Sequence, residues 1–347
     1  MKTRPSVVLL QPEASGLVSG GYLYNEAVGR ELKEGGLGEL QTRNVEDIGS
    51  LPAADYLILD SLYLSSAPPP RALKSMPGRG TRLYVLAHYF PPANPSLSAQ
   101  AVHQWERSAR AWLAHCKGVM TTGYGMQESW QRWLGHRYSV GVAPPAVCVA
   151  RRTWTRQSFR DVETRILTIG GLTAGKNQRL LLEHIARRSQ RNFHWQLIGS
   201  TNQDPAYAQS FRRAIGEYGL ASRVSLAGSL PHHDTLNALR ESDLLVSTSL
   251  FETFGIAVAE ALASGVPTLA LDVGDVRTWS SGLDGVWLYA VDDTRSFLRT
   301  FDALVDEPER WDARPGKPQF KVRTWRQTLT LLLASMQVPP GWDGSTR

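Results

Sequence analysis

Two glutamates eight residues apart, Glu252 and Glu260, flank a stretch whose residues suit the binding of a phosphorylated molecule. A helix is predicted to open between them, near Phe254. The first N–H groups of a helix have no partner within it, and the helix dipole favours anions there. We therefore predict a phosphate site at the N–H groups of Phe254, Gly255 and Ile256. Eight helical residues would span roughly 12 Å, so one carboxylate would stand on either side of the phosphate and accept hydrogen bonds from hydroxyl groups.

This stretch resembles the E-x7-E signature of retaining glycosyltransferases with the GT-B fold, specifically glycosyltransferase family four. The family pattern is roughly S-x-x-E-x-F-G-x-x-x-x-E-A-x-A-x-G-x-P. Nine positions match it at fixed spacing: Ser249, Glu252, Phe254, Gly255, Glu260, Ala261, Ala263, Gly265 and Pro267. The alternative is an ordinary βαβ unit with solvated glutamates, which would not require Phe-Gly at the helix start.

Length and composition indicate a globular protein of two domains. The 347 residues exceed one typical core, and 42% hydrophobic and 20% charged residues are globular values. No apolar run reaches the roughly 18 residues that span a bilayer, and the N-terminus predicts a strand at Ser6–Leu10 rather than a signal peptide. The two cysteines, Cys116 and Cys148, form no disulfide framework and fit a reducing cytosol, so we predict a cytoplasmic location.

The formal net charge is +6. Such a charge could attract anionic nucleotides or membrane surfaces, although ordinary use of surface arginine is the preferred explanation. Neither a long Lys/Arg run nor a basic patch interleaved with aromatic residues is present, so nucleic acid is not an expected partner. Membrane association is expected to be peripheral at most.

Short apolar strands alternate with helical patterns in the N-terminal half, which predicts a parallel sheet of βαβ units. The predicted strands are Ser6–Leu10, Tyr56–Leu59, Arg82–Ala87, Gly118–Thr121 and Tyr138–Val142. The predicted helices are Tyr22–Lys33, Leu97–His115 and Tyr124–Leu134.

The resemblance implies an α/β GT-B fold with two Rossmann-like domains facing across a cleft. The expected acceptor domain is 1–160, joined by a terminal helix within 322–338 that crosses back to it, and the expected donor domain is 161–321. The arginine-rich segment Ala146–Thr164 is interpreted as the connection between them.

In the first domain, the resemblance implies three groups of contacts. The Gly20-Gly21 loop would approach the donor diphosphate, since glycine has no Cβ to clash. His88, at the end of a predicted strand, would bond a sugar hydroxyl or help to bind the acceptor; a structural role for this histidine stays open. The acceptor would contact Asn25, Tyr89 and Thr122.

In the second domain, Lys176 matches the lysine with which the family binds the leaving diphosphate. Gly171 stands where the family has an arginine, so one charge-assisted clamp is missing. The nucleotide would be lined by Gly199, Ser229 and Leu230. His232 and His233 are interpreted as a helix start capped near Asp234 rather than as metal ligands, because no third ligand pattern accompanies them.

The implied reaction transfers a sugar from a nucleotide-sugar with retention at the anomeric carbon, by front-face displacement. Lys176, His88 and Glu252 would be the catalytic residues: Lys176 would stabilise charge on the diphosphate and Glu252 would bind donor-sugar hydroxyls. Glu260 would hold the ribose. No metal or other cofactor is expected. UDP is the expected nucleotide from family frequency, and the acceptor is a small soluble molecule or a lipid.

Two other functions stay open. Non-hydrolysing sugar-nucleotide epimerases share the fold and need no acceptor. A nucleotide-sugar-binding protein with weakened or lost catalysis is consistent with Gly171. A dehydrogenase is disfavoured, since the dinucleotide fingerprint G-x-G-x-x-G is missing.

Overall fold

The computed structural model describes residues 4–13, 19–44, 54–66, 80–150, 163–188, 192–306 and 323–339. The chain divides into two compact units. The first unit combines Met1–Ser15 and Gly20–Ala146 with the C-terminal segment from Arg323, and the second unit comprises Val147–Val322 together with Gly16–Ser19. The boundaries predicted at 160/161 and 321/322 lie outside the described residues, as do the arginines of the connection and residues 16–18 of the first glycine-bearing loop.

Six parallel strands form the sheet of the first unit. They are β1 (Val7–Gln11), β2 (Gly38–Thr42), β3 (Tyr56–Asp60), β4 (Arg82–Ala87), β5 (Gly118–Thr121) and β6 (Ser139–Val142). The helices of this unit are α1 (Gly20–Glu34), α2 (Ala99–Leu113), α3 (Tyr124–Leu134) and α10 (Trp325–Ser335). The strand order is β2-β1-β3-β4-β5-β6, so the direction of winding reverses between β1 and β3. The carboxyl ends of strands at such a reversal are a favoured place for ligands.

The terminal helix α10 belongs to the first unit, as predicted. Its N-terminus is a capping box, in which Thr324 and Gln327 satisfy each other's backbone N–H groups. Its apolar face, including Leu329 and Leu332, is fully buried in the core of the first unit. The hydroxyl of Thr328 also donates a hydrogen bond of 2.8 Å to the carbonyl of Pro144. The buried apolar face and the hydrogen bond of Thr328 together attach this helix to the rest of the first unit.

A second sheet of six parallel strands forms the second unit. Its strands are β7 (Thr164–Ile169), β8 (Phe193–Ile198), β9 (Val224–Gly228), β10 (Leu244–Ser247), β11 (Thr268–Leu271) and β12 (Val286–Tyr289). Its helices are α4 (Gln178–Ala186), α5 (Pro205–Glu217), α6 (His232–Glu241), α7 (Ile256–Ala263), α8 (Val276–Ser280) and α9 (Thr294–Asp306). The order β12-β11-β10-β7-β8-β9 places the reversal between β7 and β10. Each unit therefore has one reversal point, although the strand orders of the two sheets differ.

The predicted strands and helices agree with the structure to within two residues at most ends. Strand β2 was not predicted, because its sequence, GELQT, has neither an apolar run nor clean alternation. It lies at the edge of the sheet, where it pairs only with β1 and stays largely half-buried. An edge strand of this kind is held by main-chain hydrogen bonds more than by its side chains, so its sequence carries little signal.

Candidate functional site

Lys176 and Glu252 meet at the reversal point of the second sheet. The chain leaves β7 towards Lys176 and leaves β10 towards Glu252, so both side chains lie at the carboxyl edge of adjacent strands. The Lys176 Nζ is 2.5 Å from Oε1 of Glu252. The two side chains keep 29% and 21% of their exposure, so water can still reach the pair. The structure thus brings together the lysine and the first glutamate that the sequence singled out.

Hydrogen bonds to main-chain carbonyl groups join the two loops that carry Lys176 and Glu252. The hydroxyl of Thr248 donates to the carbonyl of Lys176 over 2.8 Å, and the N–H of Leu250 donates to the carbonyl of Gly175 over 2.8 Å. Thr173 caps the short turn at 174–176 by accepting a hydrogen bond from the Lys176 N–H. The position of the Lys176 side chain therefore depends on the backbone of both loops.

Two glycines next to this lysine have distinct surroundings. A Cβ on Gly199 would collide with the backbone of Gly170, so Gly199, which we predicted at the nucleotide, lets the ends of β7 and β8 approach each other. A Cβ on Gly171 would overlap the side-chain amide oxygen of Gln203. The amide of Gln203 thus occupies the space into which an arginine at position 171 would start to extend.

The helix after Glu252 begins later than predicted. Helix α7 starts at Ile256, with Gly255 as its N-cap at φ +80°, because a left-handed residue cannot continue the helix itself. The N–H groups at the helix start are therefore those of Ile256, Ala257 and Val258, and only Ile256 is common to the predicted set.

Phe254 precedes this helix as a buried anchor. Its ring stacks on that of Trp279 with the centroids 5.5 Å apart, and the Trp279 indole N–H donates to the Phe254 carbonyl over 2.8 Å. Gly274 also supports the loop: it has φ +61°, and a Cβ there would lie 2.8 Å from the carbonyl carbon of Glu252. The turn at 272–276 thus packs on the Glu252 loop through its central glycine.

Glu260 lies one helical turn beyond Ile256 and is 4% exposed. Its Oε1 is 2.9 Å from Nε2 of His232, and this hydrogen bond raises the pKa of His232 above its usual value. Helix α6 begins at His232 itself, directly after Pro231, so the predicted cap near Asp234 is wrong. Of the two residues predicted at the nucleotide just before this helix, Ser229 is exposed and Leu230 is half-buried.

A buried polar network stands at the reversal point of the first sheet. Asp60 ends β3, Asn25 lies in α1 after β1, and His88 follows β4. The Asn25 Nδ2 donates to Oδ2 of Asp60 over 2.6 Å, and Nε2 of His88 is 2.8 Å from Oδ1 of Asn25. Asn25 and Asp60 are 0% and 1% exposed. Both ends of the Asn25 amide are therefore engaged within the network.

The network fixes the tautomer of His88. The Asp60 carboxylate offers only acceptors, so it orients the Asn25 amide with Nδ2 towards itself and Oδ1 towards His88. A hydrogen bond to that oxygen requires Nε2 of His88 to carry the proton, which makes Nδ1 the acceptor atom of the ring. Burial lowers the pKa of His88, and the nearby Asp60 offsets this only in part.

Of the other residues predicted in the first unit, Gly21 contacts this network. Gly21 touches His88: a Cβ there would stand 3.1 Å from Cγ of the ring, so the missing side chain lets α1 approach closely. Gly20 is exposed at the first position of α1. The phenol oxygen of Tyr89 accepts a hydrogen bond of 2.6 Å from Asn94, and burial raises the pKa of Tyr89. Thr122 is 4% exposed.

A family model described as "Glycosyl transferases group 1" matches residues 163–307, which cover all six strands of the second sheet. These residues, the group 1 domain for short, are therefore similar to members of that family. The pair Lys176–Glu252, the start of α7 and Glu260 all lie within it.

Two curated relatives are similar to part of the chain. The "Mannosylfructose-phosphate synthase" of Agrobacterium fabrum is 29% identical over 126 residues, which are 35% of this chain and 28% of the relative. The "D-inositol 3-phosphate glycosyltransferase 1" of Catenulispora acidiphila is 32% identical over 139 residues, 39% of this chain and 32% of the relative. The chain thus spans about a third or less of the length of these relatives.

Solved structures match both units. Anabaena Alr3699/HepE in complex with UDP-glucose gives a TM-score of 0.74 at 16% identity, covering 96% of this chain and 100% of that one. Sucrose-phosphate synthase from Thermosynechococcus elongatus gives 0.71 at 15% identity, with 96% and 97% covered. These likenesses, with two parallel six-stranded sheets, confirm the two-domain α/β GT-B fold. Within the described residues, no helix has both the length and the apolar character to cross a bilayer.

Sequence reasoning missed three residues that shape these sites. Asp60 could have been found, because a carboxylate at the end of a predicted strand next to the reversal point is a position to inspect. The contact of His232 with Glu260, in the group 1 domain, has no sequence signal, since 28 residues separate the two. The same holds for Gln203 at Gly171, which depends on how the loop after β8 folds.

Proposed function

We propose that this protein transfers a sugar from a nucleotide-sugar, with UDP as the nucleotide, to an acceptor hydroxyl with retention of the anomeric configuration. The observation that carries the proposal is the meeting of Lys176 and Glu252 beside the start of α7, with Glu260 one turn further along. The complex of the structural neighbour HepE with UDP-glucose supports a UDP-sugar donor.

In this proposal the second unit binds the donor. The Lys176 ammonium and the N–H groups at the start of α7 stabilise the charge that grows on the leaving diphosphate, which is electrostatic catalysis by groups already in place. Glu252 accepts hydrogen bonds from donor-sugar hydroxyls, and Glu260 accepts them from the ribose. Since a carboxylate has about four acceptor positions, the bond from His232 leaves Glu260 capacity for this role.

The first unit supplies the acceptor side. We assign His88 to a hydroxyl group, with Nδ1 as the accepting atom, and Asn25 and Asp60 to the positioning of its ring. Asn25 is completely buried, so its effect on an acceptor would pass through His88. The names of the two curated relatives support a small phosphorylated sugar or polyol as the acceptor. Contacts of Tyr89, Thr122 and the Gly20-Gly21 loop with substrates stay predictions.

Catalysis is proposed to need no metal, since Lys176 and the helix start supply positive potential at the diphosphate. The experiment is a calorimetric screen of the purified protein against UDP, GDP, ADP and their common sugars, with and without EDTA. We expect UDP and one UDP-sugar to bind equally well in both conditions. Binding that EDTA abolishes would refute metal independence, and no binding of any nucleotide would refute the donor site.

The alternative is a nucleotide-sugar-binding protein with weakened catalysis, and the surroundings of Gly171 favour it. The neutral amide of Gln203 lies where a guanidinium side chain would start. The double variant Gly171→Arg, Gln203→Ala restores a cation and makes room for it. If the wild type binds a UDP-sugar but releases UDP slowly with every acceptor tried, faster release by this double variant would support the alternative. Unchanged release would argue that the arginine is not what limits turnover.

A further inference from the structure

Three side chains that can ligate a metal meet beside helix α7. They are Cys148, His232 and Glu260, and one ligand atom from each lies within 4.8 Å of the other two. Cys148 comes from the start of the second unit, His232 opens α6, and Glu260 lies in the second turn of α7. This cluster could not be predicted from the sequence, because the three residues are distant along the chain and follow no metal-binding spacing.

The segment that carries Cys148 is attached to α7 on both sides of the cysteine. On one side, Val147 is 5% exposed and packs in a cluster with Ala259 and Ala263. On the other side, the N–H of Ala150 donates to the hydroxyl of Ser264 over 2.8 Å. These two contacts fix the position of the Cys148 backbone along helix α7. The proximity of Cys148 to Glu260 therefore follows from the packing of this segment on the helix.

Helix α6 is held against α7 in the same way. Leu239 of α6 is buried in one cluster with Val258 and Leu262 of α7. This shared core brings the first residue of α6, His232, within 2.9 Å of the Glu260 carboxylate. All three ligands thus sit on elements whose relative positions are fixed by buried contacts inside one unit.

A thiolate, an imidazole and a carboxylate together suit Zn²⁺ better than harder cations, since Mg²⁺ and Ca²⁺ prefer oxygen ligands alone. Zinc bonds of about 2.0–2.3 Å place the ligand atoms of a tetrahedral site roughly 3.5 Å apart. The observed separations are within 4.8 Å, so small side-chain rotations would close them. Three protein ligands and one open position are typical of zinc sites that exchange their fourth ligand.

We propose that Cys148, His232 and Glu260 bind one zinc ion, and that bound zinc excludes the nucleotide from the second unit. The second half rests on the proposed function, in which Glu260 accepts hydrogen bonds from the ribose. Ligation to zinc would turn the Glu260 carboxylate towards Cys148 and His232 and hold it there, so that it no longer faces the ribose. Zinc and nucleotide then compete for Glu260. Zinc is then an inhibitor of a reaction that itself needs no metal.

The first arm of the test measures zinc binding alone. Protein stripped with EDTA and freed of chelator is titrated with ZnCl₂ by calorimetry, and Co²⁺ is used in parallel as a probe of thiolate ligation by its absorption. We expect one ion per chain. Cys148→Ser and His232→Gln should each weaken zinc binding at least about tenfold. Cys148→Ser should also remove the absorption band of the cobalt–thiolate bond.

Two matched controls are available in the chain. Cys116→Ser removes the other cysteine, which is buried in the first unit, and His233→Gln removes the neighbouring histidine, whose side chain is 75% exposed. Both should bind zinc like the wild type, and thermal melts should show that all four variants are folded. Absence of one-to-one binding, or equal loss in the controls and the ligand variants, would overturn the site.

The second arm repeats the zinc titration in the presence of UDP. With UDP at ten times its own Kd, we expect the apparent Kd of zinc to rise about tenfold. Simultaneous binding without any change in Kd would overturn the exclusion. The two proposals fail separately: no zinc binding leaves the nucleotide site standing, and no UDP binding in metal-free protein refutes the donor site while the first arm still decides on zinc.

Discussion

The two parallel sheets differ in strand order, but each has one reversal point, and the two reversal points hold opposite kinds of polar site. In the first unit, Asn25, Asp60 and His88 form a buried network in which the ring of His88 is kept neutral by desolvation. In the second unit, Lys176 and Glu252 form a charged pair that solvent still reaches. The fold therefore determines where a site can form, and burial determines which charge the site can carry.

The two sites also differ in what holds them. The network of the first unit depends on side-chain hydrogen bonds between residues of three elements. The pair of the second unit depends on loop backbone: Thr248 bonds the Lys176 carbonyl, and the turn at Gly274 supports Glu252. Substitutions that disturb the loop backbone should thus damage the second site most. Substitutions that change the polarity of a side chain should damage the first site most.

The largest effect is expected for Gly274→Ala. The residue has φ +61°, and its new Cβ would lie 2.8 Å from the Glu252 carbonyl carbon, which adds a steric clash to the cost of a left-handed alanine of about 1–2 kcal/mol. We expect a loss of about 3 kcal/mol in the free energy of unfolding, together with weaker nucleotide binding, as measured by denaturant melts and calorimetry.

The matched control is Gly282→Ala. Gly282 has φ +78° but no atom within 4 Å of the added Cβ, so only the conformational cost of about 1 kcal/mol should appear. Equal losses in the two variants would show that the turn at Gly274 does not pack on the Glu252 loop.

The second effect is on nucleotide affinity, through Lys176→Met. A hydrogen bond between charged groups contributes about 1.5–3 kcal/mol, so we expect the Kd for UDP, measured by calorimetry, to rise roughly 10- to 100-fold. Arg179→Met is the control, because Arg179 forms an ion pair of similar geometry with Glu183 in the same unit, at 2.8 Å and 42% exposure. If both variants bind UDP like the wild type, Lys176 does not contact the diphosphate.

Much of this architecture could be predicted from the sequence, for reasons that particular residues show. Strands β4 and β5 are apolar runs bounded by turn signals, and the sequence predicted both with the correct bounds. The nine matching residues of the signature placed Glu252 and Glu260 around one helix start. Such local patterns are sufficient to predict the fold class and to single out the residues of the proposed donor site.

The remainder depends on contacts between distant residues, which no local pattern specifies. Helix α7 starts at Ile256 because Gly255 adopts a left-handed conformation against Val276, 2.5 Å from where its Cβ would be. Glu260 meets His232 because two helices share a buried core. Sequence spacing cannot reveal such pairs, since their proximity is a product of the packing.

The third prediction concerns the first site, through Asp60→Asn. The new amide can still accept from the Leu62 N–H, as Asp60 does over 2.7 Å, but its NH₂ then faces the NH₂ of Asn25. Relief requires the Asn25 amide to flip, which places a donor against Nε2 of His88. We expect His88 to change to the Nδ1–H tautomer, visible in its ¹⁵N shifts, with a loss of about 1.5 kcal/mol in stability.

The conservative partner variant tests the same chain of hydrogen bonds. Asn25→Asp removes the Nδ2 donor and sets a second carboxylate beside Asp60, so it should destabilise the protein more than Asp60→Asn does. An unchanged His88 tautomer in Asp60→Asn would show that Asp60 does not set the orientation of Asn25.

The smallest effect is the pH dependence that His88 contributes to stability. Its pKa in the folded protein lies below the ordinary value of 6.5, chiefly because burial disfavours the charged ring. Below about pH 6.5 the unfolded chain therefore binds a proton that the folded chain does not. Stability contributed by the neutral ring should be complete above pH 6.5 and should fall, by at most about 1.4 kcal/mol per pH unit, as the pH drops towards the folded pKa.

Denaturant melts between about pH 5 and pH 7 should give a shallower dependence in His88→Asn than in the wild type. His103→Asn is the control, since the His103 side chain is 79% exposed. The slope of stability against pH in this variant should differ from that of the wild type much less than the slope in His88→Asn does. The comparison of slopes is informative even though His88→Asn also loses a hydrogen bond, because that loss shifts stability at every pH alike. The same slope in His88→Asn and the wild type would mean that the ring is as easily protonated in the folded state as in the unfolded one. The contrast between a neutral imidazole in the first site and a charged Lys176–Glu252 pair in the second would then no longer hold.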